Sequence, residues 1–142
     1  MVRRRDGKLD LLRAVPLFRG CSERELRMIG RIADSLECDE GTVLTEEGAS
    51  GHECFVIGTG TADVTIGDAL VMTLGPGGFF GEMALLDKGP RTATVTARTP
   101  MSLYVLDARA LATLLVEAPT VARTLLVTLA ARLRLAEAAP TH

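Results

Sequence analysis

Glycine punctuates this chain. Between positions 41 and 106 the runs 42–45, 53–57, 62–66 and 70–74 are rich in Val, Ile, Leu and Thr, and Gly48, Gly51, Gly58, Gly60, Gly67 and Gly75 stand between or beside them. β-branched residues favour extended backbone, and glycines at such short intervals end each run before a helix can build, so the spacing predicts an antiparallel all-β unit. Two further strands are expected at 93–97 and 101–106, split by a turn at Thr99-Pro100. A double-sheet jelly-roll barrel accommodates this number of short strands and leaves room for a ligand cavity on one side.

The flanks read differently. Leu9, Leu12, Val15 and Phe18 recur at helical spacing before and across Pro16. They predict a short helix and a bend, docking as a lid rather than forming core. Ser22 and Glu25 fit a capping box, and Leu26, Ile29, Ile32, Ala33 and Leu36 continue one helix face to an end near Leu36. After the strands, Asp107 can cap a helix through 116, Pro119 breaks it, and Thr120 starts a second helix reaching about 138. In that second helix Ala122, Leu126, Leu129, Leu133 and Ala136 are spaced 4-3-4-3, and Val121 and Leu125 widen the apolar face. The helix is expected to pack on its own barrel, with pairing to a second chain left open. The stripe is too short for an extended coiled coil. The fold class is therefore mainly β with flanking helices, in one domain over 1–142: a helical lead-in at 1–36, a barrel at 37–106 and two C-terminal helices at 107–138.

Composition narrows the function classes. A chain of 142 residues with 47% hydrophobic and 24% charged side chains can bury a core of its own. A formal net charge of −2 offers no general attraction to nucleic acid, and the basic run Arg3-Arg4-Arg5 at the terminus reads as a solvated, frayed segment. No apolar run approaches the ~20 residues that span a bilayer. The N-terminus lacks the apolar region of a secretory signal. Cys21, Cys38 and Cys54 are odd in number and follow no Cys-x-x-Cys spacing, so reduced thiols in a cytoplasmic protein are expected. With only His52 and His142 beside them, neither a metal set nor a Ser–His–acid or Cys–His centre is expected, and the chain reads as a non-enzyme.

Chemistry concentrates between Gly75 and Val95. Gly77, Gly78 and Gly81 permit positive φ or close backbone approach, and residues 81–86 then turn helical for about a turn and a half. Free N–H groups at such a helix start, with the positive end of its dipole, suit an anion such as phosphate. Arg91 follows within reach and adds a planar fork for two phosphate oxygens, while an ionised Glu82 only accepts hydrogen bonds. A ligand carrying an anion together with a hydroxyl is implied.

Phe80-Gly-Glu-Met-Ala-Leu-Leu86 and Pro90-Arg-Thr-Ala-Thr-Val95 resemble, without a gap, the phosphate-binding cassette of cyclic nucleotide-binding domains. Glycines followed at fixed spacing by Glu, Ala and Pro-Arg-Thr-Ala are far more specific than a glycine run, which alone would be a turn between strands with a surface Glu–Arg pair. The lead-in, with Val15-Pro-Leu-Phe18, Gly20, Ser22 and Glu25-Leu26, is similar to the same family's N-terminal helical segment. The cassette is taken as 79–95. The resemblance implies that Arg91 and the backbone N–H groups around Gly81 and Ala84 hold the cyclic phosphate, and that Glu82 takes the ribose 2′-OH. Phe80, Met83, Thr92 and Ala93 complete the implied ligand-binding set.

The function implied is a sensor for a cyclic mononucleotide, cAMP favoured and cGMP open, that reports binding through its C-terminal helix. Thr92 bears on the base: in the resembling family this position is Ala in several cAMP-selective domains, Thr in cGMP-selective kinase domains, and Ser or Thr in many bacterial cAMP binders. The cassette offers nothing obvious to the purine, and none of the aromatics lies on the C-terminal helix. Leu129, Arg132 and Leu133 are the candidates to cover the base, Arg132 by stacking on the ring. The alternative from another class is an interaction module that keeps the fold without the ligand, and intact Gly81, Glu82, Arg91 and Ala93 argue against it. The helix-turn-helix of a catabolite-activator-type transcription factor does not follow the long helix before His142, so DNA output is not expected of this chain alone.

Overall fold

The computed structural model describes residues 2–5, 12–81 and 90–138. Nine strands form two antiparallel sheets. In chain order they are β1 (Val2–Arg5), β2 (Asp34–Cys38), β3 (Val43–Thr45), β4 (Glu53–Thr59), β5 (Ala62–Ile66), β6 (Ala69–Leu74), β7 (Phe79–Phe80), β8 (Thr94–Ala97) and β9 (Met101–Asp107). One sheet runs β1-β2-β9-β4-β7 and the other β3-β8-β5-β6. The jelly-roll expectation is met, but the two sheets do not close into a barrel.

The five-stranded sheet is the middle layer. On β4 and β9 alternate residues serve different cores: Phe55, Ile57, Leu103 and Val105 meet Ala62, Val95 and Ala97 of the other sheet, while Val56, Tyr104 and Leu106 face the helices. Burial on both faces explains why 103–106 reads as a continuous apolar run rather than an alternation. β2 and β7 escape a sequence reading for related reasons. β7 is two residues long, and β2 is short and polar, with Asp34, Ser35 and Glu37 among its five residues.

Three helices follow the sequence signals closely. Helix α1 (Glu23–Ile32) carries the full capping box, the Glu25 N–H donating to Ser22 Oγ at 3.1 Å and the Ser22 N–H to Glu25 Oε1 at 2.9 Å. It ends at Ile32 rather than near Leu36, because Leu36 belongs to β2, opposite Leu103. Helix α2 (Ala108–Glu117) is capped by Asp107, whose Oδ1 accepts from the Ala110 N–H at 2.8 Å. Helix α3 (Pro119–Ala138) starts at Pro119, where a missing N–H is harmless, and is bent by 109° from α2. Among the described residues no single helix is long and apolar enough to cross a membrane.

Two expectations for the N-terminal region are corrected. Leu12, Val15, Leu17 and Phe18 are core rather than the dock of a lid: all are buried, in one cluster with α1, α2, α3 and the outer face of the middle sheet. Phe18 meets Tyr104 edge to face at 6.2 Å between ring centres. The segment of Arg3 to Arg5 is not frayed, since its backbone pairs antiparallel with β2 in the register Arg3↔Glu37. Cys21, Cys38 and Cys54 form no disulfide. Burial, with the Glu25 charge adding, pushes the Cys21 thiol up to about 11, and burial raises that of Cys38 as well.

Candidate functional site

The chain leaves the five-stranded sheet at Phe80 and joins the four-stranded sheet at Thr94. Gly81 and residues 91–93 thus stand at the edge between the layers, where a cavity forms. Both ends are anchored. Phe80 lies opposite Phe55 with the rings stacked at 4.9 Å, and β8 is paired on both sides, Val95 standing opposite Thr45 and Val64.

Arg91 is held by both backbone and side chain. Its N–H donates to the Ala49 carbonyl at 2.9 Å, and its own carbonyl accepts from the Gly48 N–H at 2.8 Å, a two-bond clasp with the β3–β4 loop. The guanidinium Nη1 donates to the Gly81 carbonyl at 3.0 Å. Gly81 has φ +85°, a conformation that disfavours any side chain. Arg91 is only 7% exposed, so its charge sits where solvent screens it poorly.

A cavity of about 110 Å³ brings together Phe80, Gly81, Arg91, Thr92 and Ala93 from the expected set, with Phe79 beside them. Its apolar wall is Val64 of β5 with Met72 and Leu74 of β6, and Thr45 and Val95 close the side. The Thr45 hydroxyl donates to the Ala93 carbonyl at 3.2 Å. Glu82, Met83 and Ala84 lie outside the described residues, as does the short helix expected over 81–86 apart from Gly81.

Of the three side chains proposed over the base, Arg132 alone lines this cavity. Its Nη2 donates to the Phe79 carbonyl at 3.0 Å and its Cζ lies 4.5 Å from the centre of the Phe79 ring. Leu129 packs against the helical core, and Leu133 is 60% exposed. Two guanidinium groups thus line one small cavity, and no carboxylate does so among the described residues. Such a site attracts an anion with an apolar or aromatic body.

Val64, Met72 and Leu74 are the wall that sequence reasoning missed. Val64 and Met72 stand directly opposite each other across β5 and β6, but knowing that they face the cassette requires knowing that β5 pairs with β8. Strand alternation alone does not carry that information.

Fold and cavity together define a jelly-roll domain with a small, guanidinium-lined cavity at the edge between its two sheets. The family model for a cyclic nucleotide-binding domain matches residues 36–118, and the chain belongs to that family. Among curated relatives, a cyclic nucleotide-gated potassium channel of Rhizobium etli is 38% identical over 126 residues, covering 87% of this chain and 35% of the channel. A cAMP-dependent protein kinase regulatory subunit of Colletotrichum orbiculare is 36% identical over 111 residues, covering 75% and 28%. The chain thus spans about a third of the length of these relatives. Among solved structures, the catabolite activator protein of Thermus thermophilus superposes with a TM-score of 0.74 at 30% identity, covering 86% of this chain and 60% of that one. A cyclic nucleotide-binding domain from Methylobacillus flagellatus gives a TM-score of 0.74 at 25% identity, covering 99% and 91%.

Proposed function

We propose that this chain is a single, non-catalytic sensor unit that binds a cyclic mononucleotide, cAMP in preference to cGMP, and signals by moving α3. The observation that carries the reading is the buried guanidinium of Arg91, tied by its backbone to the β3–β4 loop and directed into a cavity whose described lining holds no carboxylate. A buried cation is stabilised by a counter-charge, and a phosphate supplies one bidentately. In this reading the N–H groups of Gly81 and Ala84 share the phosphate, Glu82 accepts from the ribose 2′-OH, Phe80 and Met83 complete the cassette, and the purine lies on Val64, Met72 and Leu74. Thr92 and Ala93 line the same cavity, and a threonine hydroxyl can hydrogen-bond either a base or a phosphate. The cytoplasm, where cyclic nucleotides are made and read, is the compartment that goes with this function.

At about 110 Å³ the cavity is smaller than the ~300 Å³ at which small-molecule pockets begin, so a nucleotide needs a wall to move. Among the described residues Arg132 is the lining residue contributed by a helix, which makes α3 the element we assign to that movement. The relatives named as channels and kinase regulatory subunits are longer proteins, and the output of this unit goes to a protein partner that the chemistry of the site does not identify.

Thermal unfolding with each nucleotide tests the reading. At a ligand concentration ~100-fold above Kd, linkage adds about 2.7 kcal/mol, enough to raise the melting temperature by several degrees. A larger rise with cAMP than with cGMP is expected at equal concentration, and Thr92→Ala should lower the cGMP response more than the cAMP response. No shift with either nucleotide at millimolar concentration would leave a ligand-blind interaction module in place of the sensor.

A further inference from the structure

The loop between β3 and β4 holds Gly48 and Gly51, and the two are glycine for different reasons. Gly48 has φ +83° and nothing within 4 Å of where a Cβ would stand, so its backbone alone accounts for it. Gly51 is the reverse case. Its φ lies outside the left-handed region, so any residue could take its backbone, but a Cβ there would stand 1.9 Å from Arg91 Nε, 2.2 Å from Cζ and 2.5 Å from Nη2. At the other end of the same guanidinium, a Cβ on Gly81 would stand 2.6 Å from Nη1. The arginine occupies a slot that exists only because two residues, 30 apart in sequence, have no side chain.

The loop is poorly placed to yield if the slot is filled. It is fastened to Arg91 on both sides of Gly48-Ala49, through the Gly48 N–H to the Arg91 carbonyl and the Arg91 N–H to the Ala49 carbonyl. The flexible partner is the arginine side chain. A methyl group at position 51 would push the guanidinium off its bond to the Gly81 carbonyl and away from the cavity.

We infer that Gly51 is a positioning residue for the anion-binding arginine: its missing side chain aims the Arg91 guanidinium at the phosphate of a bound nucleotide. This rests on the cyclic-nucleotide reading of the site. Gly51 touches no ligand and acts through Arg91, so its effect must vanish when Arg91 is gone.

A double-mutant cycle on the full chain, read by calorimetric titration with cAMP, tests it. Loss of an aligned charged hydrogen bond corresponds to roughly a 10- to 150-fold weakening, and Gly51→Ala is expected to reach a large part of that range. Adding Gly51→Ala to Arg91→Ala should change the affinity by less than about twofold, whereas independent sites would repeat the whole penalty. An unchanged affinity for Gly51→Ala, or an equal penalty in both backgrounds, overturns the inference while leaving the nucleotide site in place if the wild type binds and Arg91→Ala binds more weakly. A wild type that binds no cyclic nucleotide overturns the underlying reading instead. Should Gly51→Ala fail to fold, the Gly51→Ala/Arg91→Ala chain decides: recovery of cooperative unfolding supports the slot, and continued failure means that the loop needs this glycine for itself.

Discussion

Arg91 carries the residue-scale argument because three independent constraints meet on it. Its backbone is clasped by the β3–β4 loop, its Nη1 is bonded to Gly81, and it is 7% exposed. Removing a charged hydrogen-bonding partner typically costs about 1.5–3 kcal/mol, so Arg91→Ala should weaken cAMP binding roughly 10- to 150-fold. Arg91→Lys should recover only part of this, because an ammonium lacks the planar fork and the bond geometry at Gly81 is set for one. Titration of the three proteins checks both steps. Equal affinity of wild type and Arg91→Ala would take Arg91 out of the site. The sequence made this residue visible through its spacing from Gly81 and Glu82. It did not make visible Gly51, whose partner is 40 residues away and whose role is an absence of atoms.

At the scale of elements, legibility follows the range of the interactions that fix each one. The caps at Ser22 and Asp107 and the break at Pro119 depend on neighbours within four residues, and all three are where the sequence put them. β2 and the lead-in were misread because their state is decided by distant partners, β9 for the one and the middle sheet for the other. Helix α3 is intermediate. Val121 and Leu125 are buried in the helical core as its apolar face suggests, yet Leu126 and Leu133 of the 4-3-4-3 stripe are 66% and 60% exposed. Seven residues apart, they lie on one side of the helix, next to but not within the face that packs on the protein. A second copy of the chain covering this side would make an isologous pair, which a two-leucine stripe would hold only weakly. Sedimentation over a concentration series should show mass rising above that of the monomer, and Leu126→Glu with Leu133→Glu should abolish the rise. A monomer mass up to the solubility limit would remove the dimer without touching the ligand site.

The described residues form three layers with the cavity at one edge, and α3 is the element that joins the helical layer to that cavity. Its first half is fixed, since Val121 is fully buried and Leu125 is 8% exposed, and Leu129 still packs against the core. One turn later, Arg132 reaches over the edge of the middle sheet to the Phe79 carbonyl and ring. A cation over an aromatic face contributes about 0.5–2 kcal/mol, which a ligand that offers Arg132 a purine and a phosphate can match or exceed. Binding energy that differed between this position of Arg132 and one over a bound ligand would shift the helix toward the second. We therefore predict that cAMP raises amide-hydrogen protection over 130–138 and that Arg132→Ala removes most of this gain. The same substitution should speed cAMP dissociation several-fold and weaken binding less than Arg91→Ala does, because it loosens the cover but leaves the phosphate site. Deletion of the whole helix is the wrong test, as it strips Val121 and Leu125 from the core, so the truncated comparison is a chain ending at Ala131. Protection over 130–138 unchanged by cAMP in wild type, with dissociation rates identical in wild type, Arg132→Ala and the truncated chain, would discard the moving helix while leaving Arg91 and the cavity as they stand.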